Sequence, residues 1–266
     1  MIRALTLAIL LATPAAAERA LTQDDILSAT LLSGWRAPDG RHFAALSLTL
    51  APGWKTYWRS PGEAGIPPML DFDGSRNLGP VSLRWPSPSV FEINGMQTIG
   101  YHDALILPIE VTPRLADQPV EMRLRVDLGV CKDICLPATL DLTATLPTTS
   151  TPDPAIRAAL ADRPRTGADA GVAAIHCTIA PISDGLRVTA SLDMASLGGD
   201  EAVVVETPDP AIWVSQSDTS RAGSTLTAVT DLVPSSGAPF ALDRSQLRVT
   251  VVGANGAVEM MGCPAP

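Results

Sequence analysis

The sequence predicts an all-β fold made of two immunoglobulin-like β-sandwich domains. Short segments with an apolar residue at every second position recur along the chain, which is the pattern of half-buried strands. Turn-forming residues punctuate these segments, since the chain contains 24 Pro and 20 Gly. One stretch rich in Pro, Thr and Ala lacks the alternation and divides the segments into two blocks.

The first block contains the clearest strand patterns. Segments 46–50, 81–85 and 105–111 alternate apolar and polar residues. The alternation is strictest over the eleven residues 120–130, where Val, Met and Leu alternate with Glu, Arg and Asp. This pattern predicts one long strand whose even-numbered residues face the core. Segment 140–146 is its predicted neighbour.

The predicted linker covers residues 148–171 and separates a first domain over 18–147 from a second domain over 172–266. Within the linker, Asp153 is suited to cap a helix and Pro154 to occupy its first position. A short helix is therefore expected inside the linker.

The second block repeats the strand pattern with fewer aromatic residues. Segments 186–192 and 247–251 alternate apolar and polar residues. The turn Ala254-Asn255-Gly256-Ala257 predicts a hairpin before the last strand. Both blocks are therefore predicted to form sandwiches of similar size.

The first 17 residues have the layout of a secretory signal peptide. Arg3 precedes an apolar run over 5–12, and small residues end at Ala17 before Glu18. A retained anchor is the alternative, but the run is shorter than the roughly 18–20 apolar residues of a membrane helix. We expect cleavage after Ala17 and export to the periplasm, where disulfides form and persist.

Composition excludes two classes of protein. The net charge of −9 argues against nucleic-acid binding, which uses clustered Lys and Arg. The chain has 46% hydrophobic and 18% charged residues, which argues against disorder. Lys55 and Lys132 are its only lysines, so no polybasic membrane patch is expected. The four cysteines are the chemically distinctive residues.

Cys131 and Cys135 lie at the junction of the two best strand patterns. A hairpin loop over 132–134 would place them opposite each other, close enough for a disulfide with some strain. Parity puts Cys131 on the solvent-facing side of its strand, and accessible, strained disulfides are the labile ones. Lys132 would stabilise a thiolate there and Asp133 would oppose it, which makes both candidates for thiolate tuning.

Three interpretations of this pair stay open. A redox dithiol is favoured over a structural staple, because so short a loop removes little entropy from the unfolded chain. A two-thiolate site for Cu(I) is the third. Zinc would need two further ligands, and the three histidines lie at no ligand spacing. The redox interpretation requires no metal and no organic cofactor.

Cys177 and Cys263 lie near the two ends of the second block. A bridge between them would close a loop of about 85 residues and stabilise the fold by about 4–5 kcal/mol in the chain-entropy model. A structural disulfide is therefore expected, and pairing 131–135 with 177–263 keeps each bridge within one domain. The alternative is a copper site with Met260, Met261 and His176.

Several separated motifs of the first block occur in the order expected of a known family. They are the run G-W-K-T-Y-W-R-S-P-G-E-A-G-I-P-P at 53–68, W-P at 85–86, the stretch 91–101, L-P at 107–108 and V-C-K-D-I-C-L-P at 130–137. Over about residues 25–147 the chain thus resembles the DsbD-type N-terminal domain of thiol:disulfide interchange proteins. The resemblance extends to relatives linked with suppression of copper sensitivity. The spacing of three residues between the cysteines matches these relatives better than it matches the best-known member of the family. The resemblance is weaker over 170–266.

The resemblance implies an immunoglobulin-like periplasmic domain in which Cys131 and Cys135 relay electrons. It also implies a cap loop that shields the cysteines from unselective exchange, formed by Phe91, Glu92, Ile93, Asn94, Gly95 and Met96. The aromatic residues Trp54, Tyr57 and Trp58 are expected to be scaffold beneath the site.

In this family a membrane domain reduces the cysteine pair, which then reduces periplasmic thioredoxin-like proteins. The sequence ends at Pro266 without such a membrane domain, so a separate membrane protein is the expected electron donor. We therefore expect a thiol:disulfide oxidoreductase component of the protein-disulfide reductase type. The alternatives are a copper-binding or copper-tolerance module that uses the same cysteines, and a non-catalytic interaction domain.

Overall fold

The computed structural model describes residues 22–93 and 96–266. The fold is nearly all β, with 54% strand and 6% helix, as the sequence predicts. The predicted signal peptide, residues 1–17, lies outside the described residues. No helix within the described ranges is long and apolar enough to cross a membrane.

The first half of the chain begins with a one-turn helix and continues in strands. These elements are α1 (Gln23–Ile26), β1 (Leu27–Arg36), β2 (His42–Leu50), β3 (Lys55–Tyr57), β4 (Met69–Asp71), β5 (Leu78–Leu83), β6 (Ser89–Ile93), β7 (Met96–His102), β8 (Ala104–Pro113), β9 (Val120–Cys131) and β10 (Cys135–Leu146). One sheet has the order β1-β2-β8-β5, and the other β10-β9-β3-β7-β6 with β4 on β9. Every pairing in these two sheets is antiparallel.

The core of the first half lies between these sheets. Even-numbered residues of β9, such as Leu124 and Val126, are buried there together with Leu46 and Ile109. The odd-numbered residues 121, 123 and 125 are exposed. The predicted facing of this strand is confirmed over most of its length, but near Cys131 residues on both faces are buried.

The second half contains a helix, a short 3-10 helix and further strands. These are α2 (Pro154–Ala161), β11 (Arg165–Thr166), β12 (Ala174–Pro181), β13 (Leu186–Asp193), β14 (Ala202–Glu206), β15 (Ile212–Val214), β16 (Asp218–Ala222), β17 (Thr225–Pro234), the 3-10 helix Arg244–Gln246, β18 (Arg248–Gly253) and β19 (Gly256–Met261). Their sheets have the orders β11-β19-β18-β14 and β12-β13-β17-β15, with β16 on β17. A separate apolar cluster fills the space between them.

The segment predicted as a linker is ordered and packed. The Asp153 carboxylate accepts hydrogen bonds from the backbone N–H groups of Ala155 (2.8 Å) and Ile156 (3.1 Å), so the predicted cap of α2 is confirmed. Ile156 is fully buried, and the backbone N–H of Ser87 donates to the Asp162 carbonyl. Because β11 pairs in parallel with β19, the segment contacts both halves of the chain.

A charged contact joins the two halves beside the sheet that contains β3. The Arg59 guanidinium lies 4.1 Å from the centroid of the Trp58 ring. It donates to both carboxylate oxygens of Glu206 at 2.8 Å and to Glu259 at 2.7 Å. Arg59 follows β3, while its partners lie on β14 and β19, so this ion pair ties the halves together two residues beyond Tyr57.

Candidate functional site: a disulfide in the β9–β10 hairpin

The candidate site is the hairpin that joins β9 to β10. Cys131 ends β9, Cys135 begins β10, and the two residues are directly opposed in the antiparallel register. The backbone N–H of Lys132 donates to the Ile134 carbonyl at 3.0 Å and closes the three-residue loop. The Cα atoms of the two cysteines lie 4.1 Å apart, and their sulfurs form a disulfide.

The two cysteines differ in their exposure to solvent. Cys135 is exposed, but Cys131 is 0% exposed, so the prediction that Cys131 faces solvent is wrong. The outer face of the sheet is covered at this end, because Ile66 lies over Gly129, where an added Cβ would come within 2.8 Å of the Ile66 Cβ. The sequence carries a sign of this cover, since the charged residues on the odd-numbered side stop at Asp127.

The Tyr57 hydroxyl lies against both sulfurs. It is 3.0 Å from Cys131 Sγ and 3.5 Å from Cys135 Sγ, and the side chain is 1% exposed. Burial raises the pKa of Tyr57, so the hydroxyl stays protonated near neutral pH and is able to donate to sulfur. Trp54 and Trp58 are buried in the core as expected, and Tyr57, predicted as scaffold with them, also contacts both sulfurs.

Lys55 is a buried cation in the same layer, and sequence reasoning missed it. It is 3% exposed and directly opposes Cys131 across the β3–β9 ladder. Its ammonium donates to Thr98 Oγ1 at 3.1 Å and lies 5.0 Å from the centroid of the Phe91 ring. The sequence signal is its position two residues before Tyr57, because alternate residues of a strand share one face.

The loop residues expected to tune the thiolate are both exposed. The Lys132 ammonium donates to the Pro52 carbonyl at 3.4 Å. Asp133 lies in the same exposed loop. Of the two lysines of the chain, it is therefore Lys55, and not Lys132, that is enclosed by protein in the site.

The residues expected to form the cap loop lie on the β6–β7 hairpin. Phe91 and Glu92 belong to β6 and Met96 to β7, where Met96 pairs with Ile93. The Phe91 ring is half-buried and packs edge-on against His102, with centroids 4.2 Å apart, whereas Glu92 and Met96 are exposed. Asn94 and Gly95 lie outside the described residues. Phe91 thus reaches the site by covering Lys55.

The second disulfide joins Cys177 on β12 to Cys263, which follows β19. The two residues are 0% and 1% exposed, with Cα atoms 5.4 Å apart. The backbone N–H of Cys177 donates to the Pro264 carbonyl at 2.7 Å, which fixes the chain end against β12. Met260 is buried, while His176 and Met261 are exposed. Within the described ranges, no group of three or more His, Cys, Asp or Glu residues is arranged to hold a metal.

Comparison with known families identifies the part of the chain that contains the hairpin disulfide. Residues 24–147 match the family described as the N-terminal part of the thiol:disulfide interchange protein DsbD. This region belongs to the DsbD N-terminal family. The matched residues of this chain include both sheets of the first half and both cysteines of the β9–β10 hairpin. It supports a module related to thiol–disulfide exchange.

The fold of the whole chain is similar to a solved structure, the N-terminal periplasmic domain of ScsB from Proteus mirabilis. The two share 23% sequence identity with a TM-score of 0.65, over 92% of this chain and 96% of that chain. The similarity of fold therefore extends beyond the DsbD N-terminal domain into the second half. None of the curated proteins matches the sequence.

Proposed function

We propose that the Cys131–Cys135 disulfide is the reactive centre of a periplasmic thiol–disulfide exchange protein. It would relay electrons from a separate membrane reductase to thioredoxin-like proteins. The observation that supports this most is the asymmetry of the pair, since Cys135 is exposed and Cys131 is enclosed. An exposed sulfur is open to nucleophilic attack, while an enclosed one is suited to be the leaving or resolving group.

The exchange begins at Cys135. A thiolate of the reduced donor attacks Cys135 Sγ, the bond between the two cysteines breaks, and the electron pair leaves on Cys131 Sγ. The second donor thiolate then attacks the donor sulfur of this mixed disulfide, which oxidises the donor and leaves Cys135 reduced. The Tyr57 hydroxyl, 3.0 Å from Cys131 Sγ, donates a hydrogen bond to the charge that develops there.

Electron delivery runs through the same residues in the opposite order. The Cys135 thiolate attacks the disulfide of a thioredoxin-like protein and forms a mixed disulfide with it. Cys131 then attacks Cys135 Sγ, which re-forms the intramolecular disulfide and releases the reduced partner. Two electrons pass in each half of the cycle, and no metal or organic cofactor takes part.

The location and the domain boundaries are part of the same proposal. A signal peptide over 1–17, cleaved after Ala17, would deliver the chain to the periplasm. The exchange domain would cover 18–147, the linker 148–171 and the second domain 172–266. The two separate apolar clusters support a division of the chain into two domains.

Single-cysteine variants test the proposal. Cys131→Ser leaves the exposed Cys135 free, and we expect it to form a mixed disulfide with glutathione disulfide, and with thioredoxin-like proteins in a periplasmic extract. Cys135→Ser leaves only the buried Cys131, and we expect it to react roughly 100-fold more slowly because its sulfur must first be uncovered. Mass spectrometry of the adducts measures both rates. If neither variant forms adducts and the wild-type pair resists mild reductants, the disulfide is a structural staple.

A further inference from the structure

Lys55 is a buried ammonium without a carboxylate partner. Its side chain is 3% exposed, and within the described residues no carboxylate oxygen lies within 4.0 Å of its Nζ. Its polar contact is the hydrogen bond to Thr98 Oγ1 at 3.1 Å. The rings of Phe91 and Tyr57 lie 5.0 and 5.9 Å away and supply only weak cation–π attraction.

An unpaired buried charge is costly, so its position needs a physical reason. The titratable groups that face Lys55 from its own strand and its two neighbouring strands are Tyr57 on β3, His102 on β7 and Cys131 on β9, while Cys135 lies one strand further away, on β10. Of these groups, Cys131 can become a thiolate anion once the disulfide is reduced, and it directly opposes Lys55. Opposed residues of an antiparallel pair have Cβ atoms about 4.5–5.5 Å apart. In the disulfide Cys131 is neutral, and reduction gives it the capacity for negative charge.

We propose that Lys55 is the counter-charge of the Cys131 thiolate and that its protonation is coupled to the redox state of the pair, an inference that rests on the proposed exchange function. When the disulfide opens at Cys135, the electron pair passes to Cys131 Sγ, and the proton stays on Lys55 Nζ. The reduced protein then holds a buried thiolate–ammonium pair. Of the two thiol protons that the donor loses as it is oxidised to a disulfide, one protonates Cys135 and the other is released to solvent. Lys55 thus acts as a positioning residue for charge on the buried sulfur.

Two consequences follow from this pairing. Reduction is favoured, since a nearby opposite charge shifts the pKa of an ionisable group by about 1–3. Coupling is also reciprocal, so the thiolate strengthens proton binding by Lys55 to the same degree. Burial lowers the pKa of Lys55 in the oxidised protein. Reduction is therefore expected to raise it.

The reduction equilibrium in glutathione buffers at pH 7 provides the first test. We expect Lys55→Met, which keeps the length of the side chain, to shift the equilibrium of the Cys131–Cys135 pair roughly ten-fold toward the disulfide. Lys132→Met removes the other lysine, whose ammonium is exposed, and is expected to shift it less than two-fold. Lys55→Arg restores the charge and is expected to recover at least half of the shift. Equal equilibria for wild type and Lys55→Met would overturn the proposal.

A second measurement needs no substitution. With only two lysines in the chain, ¹⁵N-labelled lysine gives two ammonium signals that can be titrated by NMR in the oxidised and reduced protein. We expect reduction to raise the proton affinity of Lys55 about ten-fold or more and to leave that of Lys132 unchanged. An unchanged Lys55 overturns the pairing.

The two proposals fail in different ways. A wild-type disulfide that glutathione cannot reduce contradicts the exchange function. In that case protein reduced with a strong dithiol still reports whether Lys55 senses the thiolate, so the NMR measurement continues to test the pairing alone.

Discussion

The two disulfides of this chain are the same chemical bond in opposite surroundings. Cys131 and Cys135 are four positions apart on one hairpin, and one of them is exposed. Cys177 and Cys263 are 86 positions apart, and both are buried. The separation along the chain sets how much a bridge stabilises the fold, and the exposure of its sulfurs sets how readily it exchanges. The first is thus suited to chemistry and the second to stability.

The largest expected difference between the two bridges is in the free energy of unfolding. Replacing Cys177 and Cys263 by Ala is expected to cost about 5 kcal/mol, and replacing Cys131 and Cys135 about 2 kcal/mol, from the lengths of the closed loops. Urea unfolding measures both, and Trp213 reports on the second half of the chain, which has no other tryptophan. Equal losses would remove the distinction between staple and reactive pair.

An intermediate effect is expected where the two halves meet. Glu206→Gln weakens the paired hydrogen bonds from Arg59, whose side chain is 18% exposed, and should lower the free energy of unfolding by about 1–3 kcal/mol. Asp231→Asn, which breaks the more exposed pair with Arg187, should cost less than about 1 kcal/mol. Neither should move the reduction equilibrium of the hairpin disulfide more than two-fold. A larger shift for Glu206→Gln would show that contacts with the second half of the chain control the reduction of the Cys131–Cys135 disulfide.

The smallest expected effect concerns the hydrogen bond to sulfur. Tyr57→Phe removes the hydroxyl that donates to Cys131 Sγ, and the loss of a hydrogen bond to a developing thiolate should shift the reduction equilibrium roughly ten-fold toward the disulfide. The chain's other tyrosine provides the control, because the Tyr101 hydroxyl donates to the Pro86 carbonyl. Tyr101→Phe should leave the equilibrium unchanged. Similar behaviour of both variants would mean that the Tyr57 contact has no redox role.

Much of the fold was predictable because alternation along a strand is local. The eleven-residue pattern of β9 and the facing of β10 across a three-residue loop both follow from parity and spacing. The alternation gave the wrong exposure for Cys131. It predicts only which face of β9 packs on the core, and near Cys131 the opposite face is covered by the segment that contains Ile66. That segment lies some sixty positions away, so its contact with β9 is a matter of tertiary packing.

The candidate site was predictable only in its sulfur atoms. The cysteines stand out by type and spacing, and Lys132 by its place between them. Lys55 and Tyr57 reach the site from a three-residue strand that pairs with β9, and the sequence alone does not fix which strands become neighbours. Sequence reasoning therefore assigned the thiolate-tuning charge to Lys132, which is nearest along the chain. The enclosed lysine is Lys55, which lies on the strand next to β9.

A redox titration of the folded wild-type protein distinguishes a reactive hairpin disulfide from a structural one. The protein is equilibrated in glutathione buffers of graded ratio, free thiols are alkylated, and each cysteine is quantified by mass spectrometry. We predict a two-electron transition confined to Cys131 and Cys135, while Cys177 and Cys263 stay oxidised throughout. Reduction of the buried bridge first, or no reduction of the hairpin pair before the protein unfolds, would contradict the assignment of a reactive and a structural disulfide.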